Sequence, residues 1–210
     1  MTDAVDPIAT PRKRDGDERR RELCDAAIRV LAEQGSRGLT HQQVDRAAGV
    51  PDGTTSYYYR TRAALLQGVG TRVADVDTEN LRSVTDEATR SDSPFGRLAQ
   101  LVVMQSDGEG LFLNRARHEL LLAATRDPAL AETSAKFVAR VHALTHDAIA
   151  AVQPGSADPK LRQLQSDAVM TFISGAFTRF AAGDRTIADP ERLERLLRAI
   201  VTAVAMEHAE

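Results

Sequence analysis

Thr40-His41-Gln42-Gln43-Val44-Asp45-Arg46-Ala47-Ala48-Gly49-Val50-Pro51-Asp52-Gly53-Thr54-Thr55-Ser56-Tyr57-Tyr58-Tyr59 is the most informative stretch of this chain. Thr40 through Gln43 reads as a capping box: the Thr hydroxyl accepts from the N–H three residues on, and the Gln side chain reaches back. A short helix over 41–48 follows. Gly49 ends it, because glycine takes positive φ without steric cost. Val50-Pro51 opens a second short helix over 52–58. Val44, Ala47, Ala48 and Val50 supply small apolar contacts where two short helices pack closely. These are helix-turn-helix proportions.

The second helix has poor helix propensity, since its β-branched and aromatic residues lose χ1 freedom. It carries hydroxyls at Thr54, Thr55, Ser56, Tyr57 and Tyr58. Such a helix is a poor core element and a good groove reader. Hydroxyls bind phosphates and base edges, and threonine methyls meet thymine methyls. A surface helix at a domain junction would have a similar composition.

Working outward, Leu23, Ala27, Val30 and Leu31 keep helical spacing upstream, and Gly35 stops that helix. Residues 1–16 hold Pro7, Pro11, Gly16 and Arg12-Lys13-Arg14, which reads as a flexible arm. Downstream a signal repeats at Ser93-Pro94, Asp127-Pro128, Asp158-Pro159 and Asp189-Pro190. Ser or Asp caps an orphan N–H, and Pro at the first helical position loses no bond. The pattern predicts further helices over 18–35, 62–89, 94–106, 110–125, 128–152, 159–182 and 190–207. No stretch alternates as a strand. The expected fold is all-α with about nine helices: a flexible arm (1–16), a three-helix head (17–62) and a helical bundle (63–210).

Composition bounds the function. The 210 residues carry a net charge of −3, which taken whole argues against a nucleic-acid partner. The charge is unevenly spread, however. Residues 10–62 hold 11 Lys/Arg against 8 Asp/Glu, while residues 63–210 hold 16 against 20. A basic head sits on an acidic body, although a solvated face would look similar. Cys24 is the only cysteine, which excludes an intrachain disulfide and a Cys-based zinc site. No apolar run is long enough to span a membrane, and no secretory leader is evident. A cytoplasmic protein is expected. There is no Gly-rich phosphate loop, His-Glu-x-x-His or nucleophile elbow, so no enzyme and no cofactor are expected.

The run Arg20…Ala26-Ala27…Leu31-Ala32-Glu33-Gln34-Gly35, then Leu39-Thr40…Val44-Asp45-Arg46-Ala47-Ala48-Gly49-Val50-Pro51-Asp52-Gly53-Thr54, then Tyr57-Tyr58-Tyr59-Arg60-Thr61-Arg62…Leu65-Leu66 resembles the DNA-binding domain of the TetR family of transcriptional regulators. Residues 117–130 resemble a segment of one branch of that family. The resemblance implies a homodimer on double-stranded palindromic operator DNA, an inducer pocket in the C-terminal domain, and a dimer interface built from the last two helices. It implies DNA contacts at Thr40, His41, Gln42, Thr54, Thr55, Ser56, Tyr57, Tyr58 and Arg62. Ser56 stands where the family usually has Tyr, Tyr59 where Phe is common, and Arg62 where Lys is common. Asp52 suits the helix dipole and opposes phosphate.

The helix from residue 62 runs from head into body and is the expected lever. Gly68 and Gly70 near its start suit either a hinge or close packing against the first helix. The last two helices are apolar at Leu164, Ala168, Phe172, Ile173, Ala176, Phe177 and Phe180, and at Leu193, Leu196, Leu197, Ile200, Val201 and Val204. Ser174-Gly175-Ala176 permits close backbone approach. A dimer interface and a monomer core both fit. Met104, His118, Phe137, Val141, His142, Met170, Phe172 and Phe177 combine apolar bulk with sparse polarity, as ligand cavities do; simple core packing fits each as well. His142 and His146 lie one turn apart without a third ligand, so no metal is expected and both read as solvent-facing. Cys24 reads as a small buried hydrophobe. An activator, a ligand-independent DNA binder and an interaction module without DNA binding would share the head; a cavity in residues 90–185 separates the inducible reading from the rest.

Overall fold

The computed structural model describes residues 11–85, 93–152 and 158–208. Among these residues there are nine α-helices and no strand. They are α1 (Pro11–Gly38), α2 (His41–Ala48), α3 (Thr54–Tyr58), α4 (Arg62–Thr85), α5 (Pro94–Val103), α6 (Gly108–Ala124), α7 (Pro128–Val152), α8 (Pro159–Ala181) and α9 (Pro190–His208), with a 3-10 turn at Met104–Ser106. None is long and apolar enough to cross a membrane.

The boundaries follow local chemistry. Ser93 Oγ accepts from the Gly96 N–H at 3.1 Å, and Asp127 Oδ1 from Ala129 at 3.0 Å. Asp158 Oδ1 accepts from Lys160 at 2.8 Å, and Asp189 Oδ1 from Arg192 at 2.7 Å. All four Ser/Asp-Pro signals therefore cap real helices. Thr40 caps α2 by accepting from the Gln43 N–H at 3.2 Å. The return bond of the box, from the Thr40 N–H to Gln43, is not among the described bonds. Gly35 breaks α1 at φ 68°. At the other end α1 starts at Pro11, so the flexible arm expected over 1–16 is already helical at its last six residues. Residues 86–89, expected to continue α4, lie outside the described residues.

Two apolar cores form. One gathers Phe95, Leu98, Leu144, Ile149, Ile173, Phe180, Leu193 and Leu197 between α5, α7, α8 and α9. The other gathers Leu23, Leu31, Val44, Leu65 and Val69 from α1, α2 and α4, with Leu39 from the turn between α1 and α2. It continues into Leu113, Ala116 and Leu120 of α6 and Leu130 of α7. The head's core thus runs past residue 62 into the body. Each such fully buried side chain contributes about 1.5–3 kcal/mol. Ion pairs fasten the same seam: Arg72 Nε to Asp25 at 2.7 Å and Arg29 to Glu109 at 2.9 Å.

The apolar residues of α8 and α9 divide into two sets. Ile173, Ala176, Phe180, Leu193, Leu197 and Val201 are buried within the protomer. Leu164 is exposed, and Ala168, Phe172, Leu196, Ile200 and Val204 keep partial exposure. Nothing lies within 4 Å of where a Gly175 Cβ would stand.

The two glycines of α4 are packing sites, and their partners are not on α1. A Cβ on Gly68 would stand 2.6 Å from Cε1 of the Tyr59 ring, and one on Gly70 would stand 3.0 Å from Leu130 Cδ2. Tyr59 is held by its hydroxyl, 3.1 Å from Cys24 Sγ. Cys24 is buried as expected, and that burial pushes its thiol pKa up. Gly68→Ala should gain about 1 kcal/mol of helix propensity and lose more than that by displacing the pinned ring. The expected result in thermal unfolding is a melting temperature lowered by several degrees.

Candidate nucleic-acid interface and ligand cavity

The second helix of the helix-turn-helix, α3, is short, and its N-cap has no side chain of its own. Gly53 is the N-cap of α3, at φ 91°, and makes no side-chain cap bond. Gly49, at φ 66°, closes α2. Both positions lie in the left-handed region, where a Cβ is costly. The missing cap is supplied from α2. The Asp45 carboxylate, 1 % exposed, accepts from the Gly53 N–H at 2.8 Å, the Thr55 N–H at 2.7 Å and the Thr55 hydroxyl at 2.5 Å. One buried acid thus fixes the angle between the two helices. Burial raises its pKa, but the bonds from Thr55 and Gly53 outweigh that and hold it below the ordinary value of 3.8. Sequence reading missed this role. The available signal was the side-chain-free residue at the start of α3, which required an acceptor from elsewhere.

This arrangement corrects the expectation for Thr55. Its side chain is fully buried and its hydroxyl donates to Asp45, so it has no surface to offer a groove. Thr54 is half-buried and donates to the Pro51 carbonyl at 2.6 Å. Gln42 and Ser56 are exposed, and Tyr57 is 78 % exposed. Tyr58 is half-buried, edge-on to Tyr57 with ring centroids 5.1 Å apart, and the Arg20 guanidinium lies 5.3 Å from its ring centre. Tyr59, where Phe is common, is half-buried and packs against the head core. Thr40 is exposed with its hydroxyl already engaged in the cap. His41, expected as a DNA contact, is half-buried and holds Nε2 2.7 Å from the Tyr59 carbonyl oxygen. Arg62 is exposed, but its guanidinium donates to the Leu39 carbonyl, the Ser36 carbonyl and the Ser36 hydroxyl. It brings positive charge to the head while bracing the turn after α1. Ala47, expected in the helix contact, is exposed, as is Asp52, which leaves the α3 cap to Asp45.

A cavity of about 110 Å³ lies in the body between α4, α6, α7 and α8. Its wall is almost entirely apolar, including Val73, Leu120, Leu130, Val138, Ile173 and Phe177. Three expected residues line it: Val141, Met170 and Phe177. Four do not. Met104 is exposed and faces a separate cleft beside α1. His118 points Nδ1 at the Asn114 carbonyl, 2.9 Å away, and Nε2 toward Thr178. His142 is half-buried, with Nδ1 3.3 Å from Ser166 Oγ, rather than solvent-facing; His146 is half-buried too. Phe172 packs against the α5–α9 core. The Phe137 side chain is outside the described structure.

The cavity's charged wall was not anticipated. Asp77 of α4 and Arg117 of α6 both line it. They pair at 2.5 Å, with side chains 3 % and 9 % exposed. Burial pushes the Asp77 carboxyl up, and Arg117 pulls it part of the way back. Arg117 also lies over the Phe177 ring, 5.5 Å from its centre. Nothing in the periodicity of α4 marks Asp77, because its partner lies on another helix.

Asp45→Asn replaces an acceptor-only group with one that presents N–H groups to donors. It should destabilise the protein by about 1–3 kcal/mol at pH 7. A carboxyl with a lowered folded pKa contributes stability above its unfolded value and loses it as pH falls through the folded one. The gap between variant and wild type in urea unfolding should therefore narrow below about pH 4. Thr55→Ala should lower stability as well, and should leave base preference unchanged.

Comparison with known proteins agrees with this geometry. Residues 23–69 match the family described as bacterial regulatory proteins, tetR family, and residues 90–204 match the tetracyclin repressor-like C-terminal domain. No curated protein sequence matches. Among solved structures, a TetR-family member from Streptomyces coelicolor A3 is 26% identical, with 87% of this chain and 98% of that chain covered and a TM-score of 0.66. The multidrug binding protein EbrR complexed with ethidium is 26% identical, with 87% and 98% covered and a TM-score of 0.59. A protein from Saccharomonospora viridis in complex with choline shares the fold at 15% identity, with 89% and 96% covered and a TM-score of 0.71. The chain belongs to the TetR family of transcriptional regulators, non-enzymatic DNA-binding proteins with a helix-turn-helix head and an all-helical C-terminal domain.

Proposed function

We propose that this protein is a homodimeric repressor that binds a palindromic operator and leaves it when a small hydrophobic or amphipathic molecule enters the body cavity. The observation that carries this reading is a shared wall. Val73, Leu120 and Leu130 belong to the apolar core of the DNA-binding head and also line the cavity. A ligand pressing on that wall presses on the packing that orients the head. Gly70, Val73, Ala74 and Asp77 bring α4 along the cavity, and α4 begins at Arg62, four residues after α3 ends. Two recognition helices must sit about 34–36 Å apart to enter successive major grooves. A ligand that favours one placement of α4 over another shifts that spacing by its differential affinity. Ligand-bearing relatives such as EbrR, complexed with ethidium, support a binding role for this domain.

For DNA contact, Gln42, Ser56 and Tyr57 are the expected contact residues that lie exposed on α2 and α3. Tyr58, beneath Arg20, is a backbone-contact candidate. Thr40, His41, Thr54 and Arg62 set the loop geometry around them, and Arg62 adds charge toward phosphate. For dimerisation, the outer strip of Leu164, Phe172, Leu196 and Ile200 on α8 and α9 is the natural partner surface, and Gly175 leaves room for a neighbouring backbone.

Salt-titrated binding to duplex DNA from upstream of its own coding sequence tests the head. Affinity should fall steeply with salt, as counterion release requires. A flat slope or no binding would instead favour an interaction module. Tyr57→Ala should weaken operator binding about tenfold or more while leaving the melting temperature unchanged, read by fluorescence anisotropy at fixed salt. Ile200→Glu should convert the dimer to monomer in analytical ultracentrifugation, and operator affinity should fall with it.

A further inference from the structure

We infer that the body cavity selects uncharged, ring-sized apolar molecules and rejects organic cations and anions, because Asp77 and Arg117 neutralise each other in its wall. The inference rests on the cavity being the ligand site and adds the chemical class of the ligand.

The charge balance carries the argument. Asp77 and Arg117 are the charged groups among the described lining residues, and they are bonded to each other at 2.5 Å. A second contact joins Arg117 Nε to Asp77 Oδ2 at 3.4 Å, and Arg117 also donates to Gln105 Oε1 at 3.3 Å. Arg140 lies close enough to act on Asp77 electrostatically, but it is exposed and donates to the Thr78 hydroxyl. The site therefore has no net charge to offer. An entering cation loses its hydration and meets Arg117 as well as Asp77; an anion meets Asp77 as well as Arg117. Either one must break a buried ion pair to find a partner, which is costly because the remaining charge stays buried. A neutral molecule leaves the pair intact and gains apolar contact with the rest of the wall.

Size and access point the same way. A cavity of about 110 Å³ is close to the roughly 150 Å³ of an apolar cavity that accepts benzene. Leu121 of α6 and Val138 of α7 line the cavity and are 44 % and 41 % exposed, so its route to solvent is flanked by apolar side chains. Thr133, Ser134 and Ser174 supply hydroxyls, enough to orient a neutral polar substituent.

The test uses the full-length protein and three one-ring probes: benzyl alcohol, benzylammonium and benzoate, each titrated by calorimetry. Benzyl alcohol should bind at least tenfold more tightly than either ion. Asp77→Asn keeps the shape and removes the carboxylate charge beside Arg117, which stays charged because arginine does not deprotonate. In that variant benzoate should gain at least tenfold relative to benzyl alcohol. Val138→Trp, at the exposed rim, should abolish binding of the neutral probe. An ion binding wild-type protein as tightly as benzyl alcohol overturns the charge argument and leaves the cavity as a ligand site. The same holds if Asp77→Asn leaves the order unchanged. If no probe binds wild type, or if binding survives Val138→Trp, the cavity is not the ligand site and the functional reading falls with the inference. The wild-type order stands as a test even if the Asp77 variant fails to fold.

Discussion

Three donors converge on the Asp45 carboxylate, and the head depends on that convergence. Helix α3 is five residues long, too short to hold itself in water. Its sequence favours extended backbone, and its N-cap, Gly53, has no side chain. What keeps it helical is tertiary: a buried acid on α2 that accepts two N–H groups and one hydroxyl. Because these bonds are charge-assisted and shielded from solvent, they outweigh several weak local preferences. The angle at which the hydroxyl-rich helix meets its surroundings is therefore set by α2, and through Val44 by the core of α1 and α4.

The same logic extends into the body. Head and body share one apolar core rather than meeting at a linker, since Leu113, Ala116 and Leu120 pack with Leu23 and Leu31. A close-packed interior transmits displacement poorly by bending and well by shifting between discrete arrangements. Tyr59 illustrates this. It follows the recognition helix directly, its ring sits against Gly68 of α4, and its hydroxyl meets Cys24 of α1. Through that ring α4 touches the residue that ends α3. Further along α4, Asp77 ties the helix to Arg117 in the cavity wall. One helix thus carries a contact to the reading head near one end and to the cavity along its length.

Much of the fold was legible in the sequence because helix ends are local chemistry. A capping Ser or Asp followed by Pro names a helix start without knowledge of any neighbour, and Ser93, Asp127, Asp158 and Asp189 all did so. Gly49 named a stop for the same reason. The site was less legible. Hydroxyl density singled out α3 as an element, but it could not tell Thr55, turned inward to Asp45, from Ser56 and Tyr57, which are exposed. A five-residue helix is too short for periodicity to identify its buried face. Cavity residues failed in a similar way. Val141, Met170 and Phe177 line the cavity while Phe172, equally apolar, lies partly exposed against the α5–α9 core, because facing is decided by which helices flank it.

By itself, then, the sequence determined the helices, their order, the helix-turn-helix and the basic head on an acidic body, since caps, glycine stops and charge are properties of neighbouring residues. Tertiary structure alone decided which threonine is buried, what packs on Gly68, where head and body join, and that an acid on α4 meets an arginine on α6. Those outcomes depend on pairings across 10 residues for Thr55 and Asp45 and across 40 for Arg117 and Asp77. Buried charge is tolerated only where such a partner arrives, and no local pattern along either helix announces it.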